Sequence, residues 1–291
     1  VTAALDNLLA VLDLETIEVN VFRGRSPQDK RQRVFGGQVA GQALVAAGRT
    51  VEGRSVHSLH AYFLRPGDPS IPILYDVDRI RDGRSFTTRR VVAIQHGWPI
   101  FHLSASFHLH EDGLDHHLPF PEGVPAPQDL PTFAERMAPW ADRLGDWYTR
   151  PRPVDIRYVD DPPWAVERGP RPPRQQVWMR ADGAMPDLPL LHACMVTYAS
   201  DMTLLDSVFL PHAVYWDSGE LMVASLDHAM WFHRPFRADD WLLYDQESPS
   251  AAGALGLARG NIFRADGTLV VSVVQEGLVR VRRPPGRSGP P

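Results

Sequence analysis

The stretch "AYFLRPGDPSIPILYDVD" at residues 61–78 can be laid on "MWFHRPFRADDWLLYDQE" at 230–247. Arg65-Pro66 then falls on Arg234-Pro235, and Leu74-Tyr75-Asp76 on Leu243-Tyr244-Asp245, in a single register. Two matched clusters with no shift between them mark an internal repeat, so the chain has to fold as two copies of one unit. Further on, "VVAIQHGWPIFHLSASF" (91–107) parallels "ARGNIFRADGTLVVSVVQEG" (258–277), with Gly97 against Gly267 after a slip of one residue. Each copy ends in a hairpin whose turn carries glycine, followed by a strand.

Upstream, each half holds a helix candidate. "GGQVAGQALVAAGRTV" (36–51) is rich in Ala and Gly, and Asp187 is placed to cap "LPLLHACMVTYAS" (188–200), with Pro189 tolerated in the first turn. Apolar or small residues occupy nearly every side of both, which predicts helices that are enclosed rather than laid on a surface. Before them, 16–24, 154–160, 32–37 and 174–181 read as opening strands. The pattern predicts an α+β chain with two tandem antiparallel sheets, each wrapped around a central helix: a double hotdog. The expected units are 1–110 and 151–282, joined by a linker over 111–150 that contains a helix at 132–148, with 283–291 as a flexible tail.

The balance of 44% hydrophobic and 22% charged residues suits a soluble globular protein. A net charge of −5 argues against a nucleic-acid partner, which needs a basic face. No run approaches the length of a membrane span, and the first residues lack the pattern of a signal peptide, so a cytoplasmic protein is expected. The single cysteine, Cys194, excludes an internal disulfide and, among apolar neighbours, reads as a buried inert thiol.

"LVVSVVQEGLVR" (269–280) has the look of a strand buried on both faces, yet it carries Gln275 where another Val would pack better. Burying an amide costs roughly 1–3 kcal/mol unless it is paired, so Gln275 is either satisfied by a neighbour or holds something. Together with "VFGGQVAGQAL" (34–44), "VHSLHAYFLRPGD" (56–68), "YDVDRIRDGRSFTTRRVVAIQ" (75–95), "RQQVWMRA" (174–181), "YASDMTLL" (198–205), "SLDHAMWFHRPF" (225–236), "WLLY" (241–244) and "VVQEG" (273–277), it resembles the acyl-CoA thioesterase II family of double-hotdog enzymes. The resemblance implies hydrolysis of acyl-CoA to fatty acid and CoA without metal or cofactor. It also implies a catalytic group of Asp201, Ser225 and Gln275 that holds and polarises a water. Bacterial members commonly carry Thr where this chain has Ser225. A homodimer or homotetramer is implied as well.

Each of these residues has an alternative reading. Asp201 can cap the segment that follows, and Ser225 can bond its own backbone. Against the first, a carboxylate at the C-terminal end of a helix meets an unfavourable dipole, which fits a base with a raised pKa. Gly36 and Gly37, opening the first helix, are candidate oxyanion donors through their backbone N–H groups, or else simply permit tight packing. His57, His60, His228 and His233 read as core or interface hydrogen-bonding groups. "HLHEDGLDHH" (108–117) reads as a solvated loop rather than a metal site. Arg89, Arg90, Arg259 and Arg264 are candidates for CoA phosphates but also ordinary solvent-facing strand residues. The competing functions are a non-catalytic acyl-CoA-binding protein, which predicts loss of a catalytic position, and a hotdog enoyl-CoA hydratase, which pairs an Asp with a His.

Overall fold

The computed structural model describes residues 2–27, 33–215 and 219–282. In chain order the elements are α1 (Ala3–Leu12), β1 (Glu15–Glu18), β2 (Val21–Gly24), α2 (Gly36–Gly48), β3 (Ser55–Phe63), β4 (Ile73–Asp82), β5 (Phe86–Gln95) and β6 (Trp98–His108). Three short helices follow, α3 (Phe133–Met137), α4 (Ala141–Leu144) and α5 (Asp146–Thr149). The second half runs β7 (Val154–Tyr158), β8 (Arg174–Ala181), α6 (Pro189–Ser200), α7 (Asp206–Phe209), β9 (Leu221–Ser225), β10 (Asp227–Phe232), β11 (Leu242–Ala252), β12 (Leu255–Arg264) and β13 (Leu269–Val281).

The strands form one sheet in the order β1-β2-β4-β5-β6-β3-β10-β13-β12-β11-β8-β7, with β9 also on β13. The seam is β3 against β10, where Leu59 pairs with Met230 and Ala61 with His228. Outward from it, the strands of the two halves follow in corresponding order, which is the internal repeat written in space. The repeated Arg-Pro has a structural use. Arg65 donates to the Pro99 carbonyl at the start of β6, and Arg234 donates to the Leu269 carbonyl at the start of β13. The repeated tyrosines are fully buried and reach from sheet to helix: Tyr75 donates to Gln42 on α2 at 2.7 Å, and Tyr244 to the Ser200 carbonyl of α6 at 3.4 Å.

The enclosed helices α2 and α6 pack against each other in opposite directions. A Cβ at Gly37 would strike the Tyr198 carbonyl, one at Gly41 would lie 3.3 Å from the Cys194 carbonyl, and one at Gly48 would strike Leu190. Glycine on this face of α2 is what lets the two backbones approach. The N-terminus of α2 is thereby set against the C-terminus of α6.

Several expectations change. Residues 16–24 are a hairpin of two strands, β1 and β2, not one. Of 32–37, residue 32 lies outside the described residues, 33–35 are irregular, and Gly36 already begins α2. Asp187 does not cap α6; Leu188 holds the cap position without a side-chain bond, and Asp187 instead pairs with Arg237 at 2.8 Å. The helix read over 132–148 is broken into short turns by Pro139 and by Gly145, which has φ +49°. Its start is nonetheless a capping box of Thr132 and Glu135. Helix α1 was missed, although Thr2 as a cap and Leu5, Leu8 and Leu12 as a buried stripe are visible in the sequence. The expected tail, 283–291, lies outside the described residues.

Candidate active site

The helix α6 ends in Ser200 and Asp201, and Asp201 is its C-cap residue. Beside it runs β13, a strand with partners on both sides. On one side Gln275 pairs with Ala258 of β12; on the other, β10 pairs with β13 as far as Ala229 opposite Val274, and β9 takes over at Ser225 opposite Gly277. The chain between β9 and β10 bulges at Leu226 and Asp227, with the Leu226 N–H on the Glu276 carbonyl and Asp227 Oδ1 accepting from the Glu276 N–H. A bulge shifts the alternation of side chains by one residue. That is how Ser225 and His228, an odd number of residues apart, both turn toward the end of α6.

The three expected site residues meet. Gln275 Nε2 donates to Asp201 Oδ1 at 2.6 Å, and Ser225 Oγ donates to the same oxygen at 3.2 Å. The backbone N–H of Gly37 is also near this carboxylate and favours its ionised form. Asp201 is pushed up to about 6 by burial, against the pull of Gln275, Ser225 and Gly37. The raised pKa was expected from the helix dipole; desolvation is its principal cause. A Cβ built on Gly36 would lie 2.8 Å from Asp201 Oδ2, so this glycine keeps the second carboxylate oxygen approachable. Gly277 does similar service for the turn after Asp201, since a Cβ there would lie 2.7 Å from Leu205.

The other candidates are accounted for locally. His57 stands 2.8 Å from Ser106 and His233 3.0 Å from Ser272, while His60 packs edge-on against Trp231. Arg89 is not solvent-facing: it is buried, with its guanidinium on the Thr50 hydroxyl, the carbonyls of Thr50, Arg81 and Thr88, and Asp82. Arg90, Arg259 and Arg264 pair with Asp78, Glu247 and Asp266. In the 108–117 stretch, His108 pairs with Glu111 and Asp115 with Arg234. Among the described residues no cluster of His, Cys, Asp or Glu is arranged to hold a metal. Cys194 is buried, which pushes its thiol well up. Among the described residues no helix is long and apolar enough to cross a membrane.

Residues 25–108 match the family described as acyl-CoA thioesterase N-terminal domain, and residues 152–278 match acyl-CoA thioesterase. The chain is 41% identical to human Acyl-coenzyme A thioesterase 8, covering 94% of this chain and 88% of that protein. It belongs to the acyl-CoA thioesterase II family. That places it among the thioester hydrolases. Acyl-CoA thioesterase 2 of Haemophilus influenzae is 39% identical, over 95% of this chain and 98% of that one. An acyl-CoA thioesterase II structure from Mycobacterium marinum superposes with a TM-score of 0.79 at 45% identity, covering 96% of this chain and all of the other (100%). The hotdog architecture extends to an Alicyclobacillus acidocaldarius protein at 18% identity and a TM-score of 0.76.

Proposed function

We propose that this thioesterase hydrolyses fatty acyl-CoA to the free acid and CoA with a water activated at Asp201. The observation that carries the reading is the convergence of Gln275 and Ser225 on Asp201 Oδ1, with Oδ2 left beside Gly36; burial there pushes the carboxyl up to about 6. A base poised there is ionised at neutral pH and still accepts a proton. Asp201 takes a proton from the water as the water oxygen adds to the thioester carbon; the tetrahedral intermediate then collapses, breaking the carbon–sulfur bond, and the proton held on Asp201 is released to the departing CoA thiolate. A thioester is already open to attack, so holding the water and stabilising the oxyanion are the enzyme's main tasks.

Helix α2 begins with the Phe35 carbonyl accepting from Gln38 and Val39, which leaves the N–H groups of Gly36 and Gly37 outside its ladder. Gly37 is engaged with Asp201, so Gly36 is the better oxyanion donor of the pair. Both halves then build one site, α2 from the unit 1–110 and the remainder from 151–282. Self-association into a homodimer or homotetramer fits the first half, whose sheet leaves Tyr62, Leu74 and Trp98 exposed.

Thiol release from a panel of saturated acyl-CoAs, short to long, tests the reading. Wild type liberates CoA, and Asp201→Asn loses at least ~100-fold, within the usual range for a general base. Binding of acyl-CoA without any thiol release replaces the hydrolase with a binding protein.

A further inference from the structure

His228 stands outside the group of Asp201, Ser225 and Gln275 yet touches it. Its ring is 1% exposed, and its Nε2 lies 2.9 Å from Ser200 Oγ. On the other side the ring faces the Gln275 amide, a contact that favours the protonated ring. The geometry nonetheless falls short of a hydrogen bond, for His228 Nδ1 and Gln275 Oε1 are each buried without a partner. Two orphaned polar atoms on facing buried groups are costly, and one proton between them satisfies both. Asp227, next in the chain, is not the ring's partner: its Oδ1 accepts from the Glu276 N–H, and His228 Nδ1 makes no hydrogen bond.

The orientation of the amide is decided by its other neighbour. An ionised Asp201 can only accept, and Gln275 Nε2 donates to it, so Oε1 is the end turned toward the ring. A ring with its proton on Nε2 would set a bare Nδ1 lone pair against that oxygen. With the proton on Nδ1, the ring donates to Oε1 and accepts at Nε2. Ser200 can serve as that donor: its one hydroxyl proton has the choice of the Thr197 carbonyl at 3.0 Å, His228 Nε2 at 2.9 Å or the weak acceptor Met230 Sδ at 3.6 Å.

We propose that His228 is a positioning residue for the hydrolysis: neutral and protonated at Nδ1, it donates to Gln275 Oε1, accepts from Ser200 Oγ, and so locks the amide with Nε2 toward Asp201. The proposal rests on the hydrolase reading above. One hydrogen of the Gln275 amide then goes to Asp201 and the other remains for the attacking water or the thioester oxygen. Without the ring's donor only the bond to Asp201 opposes a flip of the amide, and that hold weakens whenever the carboxylate takes up a proton. Burial pushes the ring down to about 4, which keeps it neutral where Asp201 is ionised.

The tautomer is read from the long-range proton–nitrogen spectrum of protein labelled with ¹⁵N-histidine, with His228→Asn identifying the resonance. Protonation at Nδ1 is expected; protonation at Nε2 overturns the proposal whatever the activity. In steady-state kinetics, His228→Leu fills the space without a donor and lowers kcat at least ~10-fold with KM little changed, as expected when a group acts on the transition state. His228→Asn, whose Nδ2 can stand where Nδ1 stood, recovers most of that loss. A Leu variant with unimpaired kcat, or Leu and Asn variants impaired alike, assigns the ring to packing alone and overturns the proposal. Failure of the hydrolase reading is distinct: wild type then releases no thiol, while the spectrum still decides the tautomer.

Discussion

At the scale of single residues, two carboxyls dominate, Asp206 buried and Asp201 partly so, and they titrate in different windows. Asp201 is pushed up to about 6 and Asp206, in α7, to about 8, both principally by burial. A carboxyl whose folded pKa lies above its unfolded value favours the fold at low pH and loses that contribution as pH rises through the folded value. Replacing either by Asn therefore stabilises the protein above pH ~4, by an amount that grows with pH. Thermal melts across pH should show the Asp201→Asn gain levelling off near pH 6 and the Asp206→Asn gain near pH 8. The activity of wild type should fall with acid through about pH 6 and be flat above it, as measured by kcat/KM for thiol release. The two glycines opening α2 are also expected to separate. Gly36→Ala meets only side-chain ends, Asp201 and Phe63, and gains helix propensity of about 1 kcal/mol. Its expected effect is lost activity with little change in melting temperature. Gly37→Ala meets the backbone of Tyr198 and should cost roughly 1–3 kcal/mol, visible in urea unfolding.

At the scale of elements, the repeated Arg-Pro clamps the start of the last strand in each half, but the copies are not equivalent. Arg234 also pairs with Asp115 and donates to the His116 carbonyl, so it ties the connection between halves to β13. That connection covers the outer face of the second half, where Phe120, Val124 and Leu130 pack on Trp178, Leu243, Phe263 and Leu269. Arg234→Ala should loosen it, and limited proteolysis should cut within 109–126 faster than in Arg65→Ala. The repeat in 61–78 and 230–247 was legible because strands, turns and buried tyrosines recur at fixed spacing. The helix expected over 132–148 is present in pieces as α3, α4 and α5, and its breaks were not legible because a helical pattern of apolar residues persists across Pro139, which lacks an N–H, and Gly145, at φ +49°.

For the whole molecule, the seam between β3 and β10 makes two units into one sheet. Either half alone would expose a long central strand as an edge, so residues 2–108 or 152–282 expressed separately should aggregate. The intact protein should unfold in one transition, with tryptophan fluorescence and far-ultraviolet circular dichroism coincident in denaturant.

The sequence alone determined the double hotdog, because hydrophobic patterning, glycine turns and an internal repeat are local properties written along the chain, whereas Asp201, Ser225 and Gln275 stood out only through the resemblance to the thioesterase II family. It also raised the question of an amide in a buried strand. The answer needed three dimensions. Only the fold brings the end of α6, the bulge between β9 and β10, and the glycines of α2 to one point. Only there does burial raise the Asp201 pKa and place His228 against Gln275. Desolvation and hydrogen-bond geometry depend on neighbours distant in sequence, and no spacing along a single chain encodes them.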